Sequence, residues 1–227
     1  CFLPTRALGA YKAILSKSNL KNSRVSSHLP ILFAHAALTN PKLMLEIGVE
    51  KGELTQALRK VKGEFDSKLI GLDIDSSCAS SYKDYLDPNM PFYHMDDRQF
   101  PECAQVDSNL PSHGYDVIVI DTSHLFKHTL QELSIFVPRL APKGVLCLFA
   151  TNLAPLPGFS ASCINGEVCR NGGWDKGQGT ARALKEYFDL DFYVNHYHEQ
   201  LVMKDGIEFK IVHYPFCNGL TIIKRVG

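Results

Sequence analysis

The sequence predicts an α/β fold: an open, doubly wound sheet, mostly parallel, with helices on both faces and an antiparallel hairpin at its C-terminal edge. Three observations carry that expectation. Short apolar runs alternate with amphipathic segments from residue 43 to residue 190, and such alternation builds a parallel sheet with right-handed crossovers. Leu43 to Thr55 reads as a strand, a turn holding Gly48 and Gly52, and the start of a helix. Residues 190–227 are rich in strand formers, with Cys217-Asn218-Gly219 as a turn.

Each element follows from local pattern. Residues 8–20 and 29–38 set Leu8, Tyr11, Ala13 and Ile14, then Ile31, Leu32, Ala34 and Ala36, at helical spacing. They precede the first strand, so residues 1–39 are expected to form a helical cap or lid and residues 40–227 the main domain. The first strand is 43–47, and the helix after it carries Leu54, Leu58 and Val61 on one face. Lys68 to Leu72 is the second strand, its end reading Gly71-Leu72-Asp73. A helix is expected from Ser76 to Leu86, with Ala79, Tyr82 and Leu86 inward, closed by Pro88 and Pro91. A short third strand, Phe92 to His94, leads into Met95-Asp96-Asp97. Tyr115 to Ile120 is the clearest buried strand; it ends at Asp121 and enters a helix bearing Leu130, Leu133, Val137 and Leu140. Pro142-Lys143-Gly144 turns the chain into Val145 to Phe149. Beyond a loop rich in Gly and Asn, Thr180 is expected to cap a helix with Leu184 and Phe188 inward. Strands are expected at Phe192–His196, Phe209–His213 and Leu220–Ile223.

Composition narrows the class. The 227 residues suit one main domain. The 24 basic residues balance 24 acidic ones with no basic run, which argues against a nucleic-acid partner. No apolar run approaches the ~20 residues of a membrane span. The first residues, Cys1 to Arg6, lack a charged-then-apolar signal layout, and an initial Cys points to a start inside a longer chain. Seven cysteines form no Cys-x-x-Cys pair. Cys147 falls inside an apolar strand, where a thiol behaves as a small hydrophobe. Cys163 and Cys169 flank Gly166 in a polar loop, a spacing that permits a bridge without requiring one. The odd count fits a reducing compartment, so a cytoplasmic location is expected.

In open α/β sheets ligands bind beyond the C-terminal strand ends. Gly48, Asp73, Asp96 and Asp121 all fall there and are expected to line one crevice. A glycine turn lets backbone approach a ligand, and an acid at the next strand tip accepts hydrogen bonds from ribose hydroxyls. A dinucleotide site wants Gly-x-Gly-x-x-Gly, with a pyrophosphate on the helix N-terminus. Here the third glycine is missing, no Tyr-x-x-x-Lys occurs, and Glu46 precedes the first glycine. A carboxylate there repels pyrophosphate and suits a ligand carrying positive charge.

The pattern Glu46-x-Gly48-x-x-x-Gly52, followed by Gly71-Leu72-Asp73, resembles motifs one and two of the class I S-adenosylmethionine (SAM)-dependent methyltransferases, whose sheet is Rossmann-like. The resemblance extends over about residues 40–227 and implies SAM as cofactor. Glu46 and the Gly48–Gly52 turn would hold its methionine part, Asp73 its ribose hydroxyls and Asp96 its adenine amino group, with Met95 on the ring. Asp121-Thr122-Ser123-His124 resembles the fourth motif of small-molecule O-methyltransferases of the catechol and macrolide-sugar types. There an Asp binds magnesium and a base lies three residues later. The resemblance implies His124 as general base and Asp121 as its partner or as a metal ligand.

Metal-dependent members carry a second acid at the end of the next strand. This chain has Thr151-Asn152, so Mg2+ would rest on Asp121 and a neutral Asn152 oxygen, a weak set for a hard cation. The loop after that strand holds the chain's single tryptophan, Trp174, with Phe159, Asn171 and Asp175. Family members place substrate contacts there, so Trp174 and Asn152 are candidate substrate residues; Trp174 equally suits pinning the loop. Asp97 is expected to be a solvated acid, and Tyr93, His94 and Phe100 to be packing residues. His128 lies one turn beyond His124, and such a pair binds zinc only with further ligands.

The expected activity is methylation of a hydroxyl on a small molecule. Two alternatives stand: a nitrogen or protein side chain as acceptor, or a non-catalytic cofactor-binding or interaction protein on the same scaffold. A homodimer is compatible with either.

Overall fold

The computed structural model describes residues 3–18, 25–83, 87–102, 114–152, 178–191 and 193–227. Five strands run parallel: β1 (Leu43–Ile47), β2 (Lys68–Asp73), β3 (Phe92–His94), β4 (Tyr115–Ile120) and β5 (Leu140–Phe149). Three more, β6 (His198–Lys204), β7 (Ile207–Tyr214) and β8 (Leu220–Arg225), join antiparallel to give one sheet of order β3-β2-β1-β4-β5-β8-β7-β6. The expected doubly wound sheet with an antiparallel C-terminal edge is the fold observed.

Strand pleating sends alternate side chains to opposite faces, and each face gains its own helical layer. Met44, Val117, Val119, Val145 and Cys147 point to one side, under α1 (Leu8–Ser18), α2 (Leu29–Leu38) and α3 (Glu53–Phe65). In α3 Leu54, Ala57, Leu58, Val61 and Phe65 are buried, the i, i+3, i+4, i+7 stripe of a helix on a sheet. The first two helices are part of this layer: Ala10, Ile14, Leu32, Phe33 and Ala36 lie in the same cluster. Leu43, Leu45, Ile47, Ile118, Ile120, Leu146 and Leu148 point the other way, under α5 (Phe126–Phe136) and α6 (Gly179–Phe188). The short α4 (Ser80–Lys83) follows β2.

Several element boundaries differ from the sequence expectation. The segment after β2 begins as a 3-10 turn, Ser76–Ala79, whose Asp75 carboxylate accepts the Ser77 N–H at 2.8 Å, and only then becomes α4. Pro138 has no N–H to continue a helix, so Val137 lies in a 3-10 turn and Leu140 opens β5 instead of closing α5. Thr180 is not the cap of α6: Gln178 holds that position without a side-chain bond, and Thr180 is buried inside the first turn. The strand expected at 192–196 lies further on, at His198–Lys204, and turns back at Asp205-Gly206 with φ of +51° and +77°. Two left-handed residues in a two-residue loop are the hairpin geometry that matches strand twist. Cys147 is fully buried as expected, its thiol pushed up to about 12 by burial; Cys163 and Cys169 lie outside the described residues. Among the described residues no helix is long and apolar enough to cross a membrane.

Candidate cofactor-binding and active site

The sheet order sets four candidate residues in a row. Asp73 ends β2, Gly48 follows β1, Asp121 follows β4, and Asp96 lies two residues beyond β3. The chain order reverses between β1 and β4, where open α/β sheets leave a crevice. The two tips are closely joined there: the Asp121 N–H donates to the Ile47 carbonyl at 3.0 Å, and Gly48 N–H to Leu72 at 2.9 Å. A methyl group on Gly48, whose φ is +84°, would run into the Asp121 carbonyl. This glycine is therefore demanded by the neighbouring strand as well as by any ligand. Gly52 leads into α3, and a side chain on it would press on Ser81 at 2.9 Å.

Asp73 is already at work inside the turn. Its Oδ2 accepts the N–H groups of Val49 (2.8 Å) and Glu50 (3.1 Å), and its Oδ1 accepts that of Asp75 at 2.8 Å. The strand-tip acid thus braces the glycine turn across two strands. Glu46 is fully buried beneath the turn. The Thr55 hydroxyl donates to both of its oxygens at 2.9 Å, and the Tyr82 hydroxyl to Oε2 at 2.6 Å. Burial pushes its carboxyl up to about 7, against the pull of those hydroxyls and Arg59. Gly71 makes this latch possible, because any side chain on it would occupy the space of the Tyr82 ring. Asp96 is forked by Arg98, with Nε to Oδ1 at 2.9 Å and the terminal nitrogen to Oδ2 at 2.5 Å, which holds its carboxyl well below the usual range.

Asp121 and His124 do come together. Nε2 of His124 lies 3.7 Å from Oδ1 of Asp121, and the side chains are 16% and 21% exposed, open enough to meet a small molecule. Burial, then the nearby Glu50 and Glu53, push Asp121 up to about 7. His124 takes a left-handed φ of +57° and precedes α5, so it is not one helical turn from His128 and the i, i+4 pairing does not form. Asn152 is anchored to the far edge: its Nδ2 donates to Pro215 at 2.6 Å and its N–H to Asn218 at 2.7 Å. Thr151 is buried, its hydroxyl taking the Thr221 hydroxyl proton at 3.0 Å. Trp174, Phe159, Asn171 and Asp175 fall outside the described residues.

Asp97 departs from expectation. It is 7% exposed, not solvated, and His128 Nε2 approaches its Oδ1 at 3.0 Å. Asp96, Asp97 and His128 are, among the described residues, the one group of three potential metal ligands within reach of one another. Arg98 engages both oxygens of Asp96, and the His128 N–H engages only Oδ1 of Asp97; Oδ2 of Asp97 is buried and takes neither bond. Sequence reasoning also passed over Glu132, fully buried on α5 four residues after His128, and Ser123. The signal was present in Glu132, a charge next to Leu133 on the buried side of the helix. Phe100 packs as expected, 5.5 Å from Tyr93, and His94 bonds the Ile74 carbonyl.

This strand order, mostly parallel with antiparallel C-terminal strands, matches the Rossmann-like fold of solved methyltransferases. Residues 45–148 match the family model of a methyltransferase domain. The chain is similar to the SAH-bound methyltransferase PaMTH1 of Podospora anserina, with a TM-score of 0.58 and 15% identity over 98% of this chain and 88% of that one. It is similar to the O-methyltransferase TomG of Streptomyces achromogenes in complex with SAM, with a TM-score of 0.53 and 13% identity over 99% and 91%. Among curated proteins it is 28% identical over 167 residues to a trans-aconitate 2-methyltransferase of Yersinia pseudotuberculosis, covering 70% of this chain and 59% of that relative. The chain thus spans under two thirds of the length of the curated relatives it matches.

Proposed function

We propose that this chain is a SAM-dependent methyltransferase that methylates a hydroxyl group of a small molecule. One observation carries the reading: Asp96, Asp73, Gly48 and Asp121 meet at the ends of four adjacent strands, and Glu50 and Glu53 add to the negative potential there. Such a crevice attracts a ligand with a cationic sulfonium and ammonium group.

SAM, when bound, supplies a methyl group on an excellent leaving group. The protein's tasks are then to position the reactants and take a proton. Asp73 is assigned to the ribose hydroxyls and Asp96 to the adenine amino group. The Gly48–Gly52 turn faces the methionine part, with Glu46 acting through the latch that shapes it. His124 accepts the hydroxyl proton, and Asp121 stabilises the imidazolium that results. The donor set of Asp121 and Asn152 does not fit a hard divalent cation: there is one carboxylate, and Thr151 is turned into a buried hydroxyl network. No step is assigned to Mg2+. Asn152 and Trp174 remain candidate substrate contacts, and residues 1–39 a helical cap on the domain of 40–227.

Calorimetry of the full chain with SAM and with its demethylated product SAH tests the cofactor. Incubation with labelled SAM and a cell extract as acceptor pool tests transfer. His124→Ala is expected to keep SAM affinity and to lose about 10²–10⁴-fold in turnover, the usual contribution of a general base. Undiminished turnover removes His124 as the base. The similarity to a trans-aconitate 2-methyltransferase favours a second reading in which the acceptor oxygen belongs to a carboxylate. That oxygen has no proton to lose near neutral pH, so its methylation survives His124→Ala.

A further inference from the structure

A line of side-chain hydrogen bonds runs beneath the loop that carries Asp121 and His124. Ser123 Oγ lies 2.6 Å from His128 Nδ1, and His128 Nε2 lies 3.0 Å from Asp97 Oδ1. A carboxylate only accepts, so Nε2 bears the hydrogen and donates to Asp97. In neutral imidazole Nδ1 then accepts the Ser123 hydroxyl; in imidazolium it donates to the same oxygen. The connection therefore persists in both charge states. Burial disfavours charge on His128, but Asp97 and Glu132 together raise it above its ordinary value.

The next residue back is moored as well, since the Thr122 hydroxyl donates to Glu132 Oε1 at 2.6 Å. Between these moorings and α5 sits His124, in a left-handed backbone conformation that costs a non-glycine residue about 1–2 kcal/mol. Such conformations persist only where the surroundings over-determine them. At its other end the line reaches Asp97, the residue after Asp96.

We infer that Asp97, His128 and Ser123 are positioning residues, which hold His124 in its left-handed conformation and tie the 121–125 loop to the turn assigned to adenine. The inference rests on the SAM reading of the pocket. It gives His128 a task distinct from metal binding and from proton abstraction.

Hydrogen exchange on the full chain, with SAH as the probe, tests it. Without ligand, Ser123→Ala is expected to speed exchange of the 121–125 amides about tenfold, the effect of losing one buried hydrogen bond, while the amides of 48–52 keep their rates. With SAH, the wild-type chain slows exchange at both segments. Ser123→Ala and His128→Ala bind SAH within about threefold of wild type, a change under 1 kcal/mol, and slow 48–52 but no longer 121–125. Ser123→Thr, which keeps a hydroxyl, restores the wild-type response. Unchanged ligand-free exchange in Ser123→Ala overturns the positioning role even if His128→Ala fails to fold. Full SAH protection of 121–125 in Ser123→Ala overturns the tie to the adenine turn. A wild-type chain that does not bind SAH overturns the cofactor reading, and shows as absent heat in calorimetry before any exchange is compared.

Discussion

At Gly48 the space for a side chain is already taken by the carbonyl of Asp121. The glycine spacing of the turn points to a ligand's approach; a second demand comes from within the sheet. Glu46 shows the same shift of role. Its place before the glycine turn suggested a partner for a cationic ligand, yet both oxygens are engaged by Thr55 and Tyr82 in a fully buried position. That burial has a measurable pH signature. The Glu46 carboxyl is lifted from an ordinary 4.5 to about 7. Between those values the folded chain keeps a proton that the unfolded chain has released, so stability falls as pH rises through this window and levels off above it. The slope is about 1.4 kcal/mol per pH unit at most for one proton. Thermal unfolding from pH 5 to pH 8 is expected to show the decline, and Glu46→Gln to make it shallower by one proton's share, the rest belonging to Asp121 and Glu132, which burial raises into the same range. A slope unchanged by that substitution assigns the proton elsewhere.

At the scale of elements, β1 and β4 occupy the residues that their apolar runs and flanking turns predict. Their legibility has a physical source: central parallel strands are buried on both faces and read as unbroken apolar runs. The edge was harder to read. In β6, Glu199, Leu201 and Met203 face solvent while Gln200 and Val202 are half-buried, so no clean apolar alternation marks the strand. The informative signal was Asp205-Gly206, a dipeptide suited to a two-residue hairpin. A methyl group on Gly206 meets no atom within 4 Å, so its cost is conformational alone. Gly206→Ala is expected to lower stability in chemical denaturation by about 1–2 kcal/mol with the fold intact.

For the whole molecule, the 24 basic and 24 acidic residues cancel, but their distribution does not. Glu50, Glu53, Asp73 and Asp121 gather at one end of the sheet, and Asp121 is lifted by burial and then by Glu50 and Glu53. In the proposed function this field favours the sulfonium of SAM over the neutral sulfur of SAH. Screening shortens its reach to roughly 3 Å at 1 M salt. Raising the salt is therefore expected to weaken SAM binding more than SAH binding in parallel titrations; equal salt slopes would separate the affinity from the acidic tips. The row of strand-tip acids was legible because strand ends follow from turns and apolar period. The Ser123–His128–Asp97 line was not, because β4, α5 and the turn after β3 meet only through tertiary packing.

Gly71 lies so close to the ring of Tyr82 that even a methyl group there has no room. An alanine at 71 would push the phenol away from Glu46, so a change on β2 would loosen the acid beneath the glycine turn.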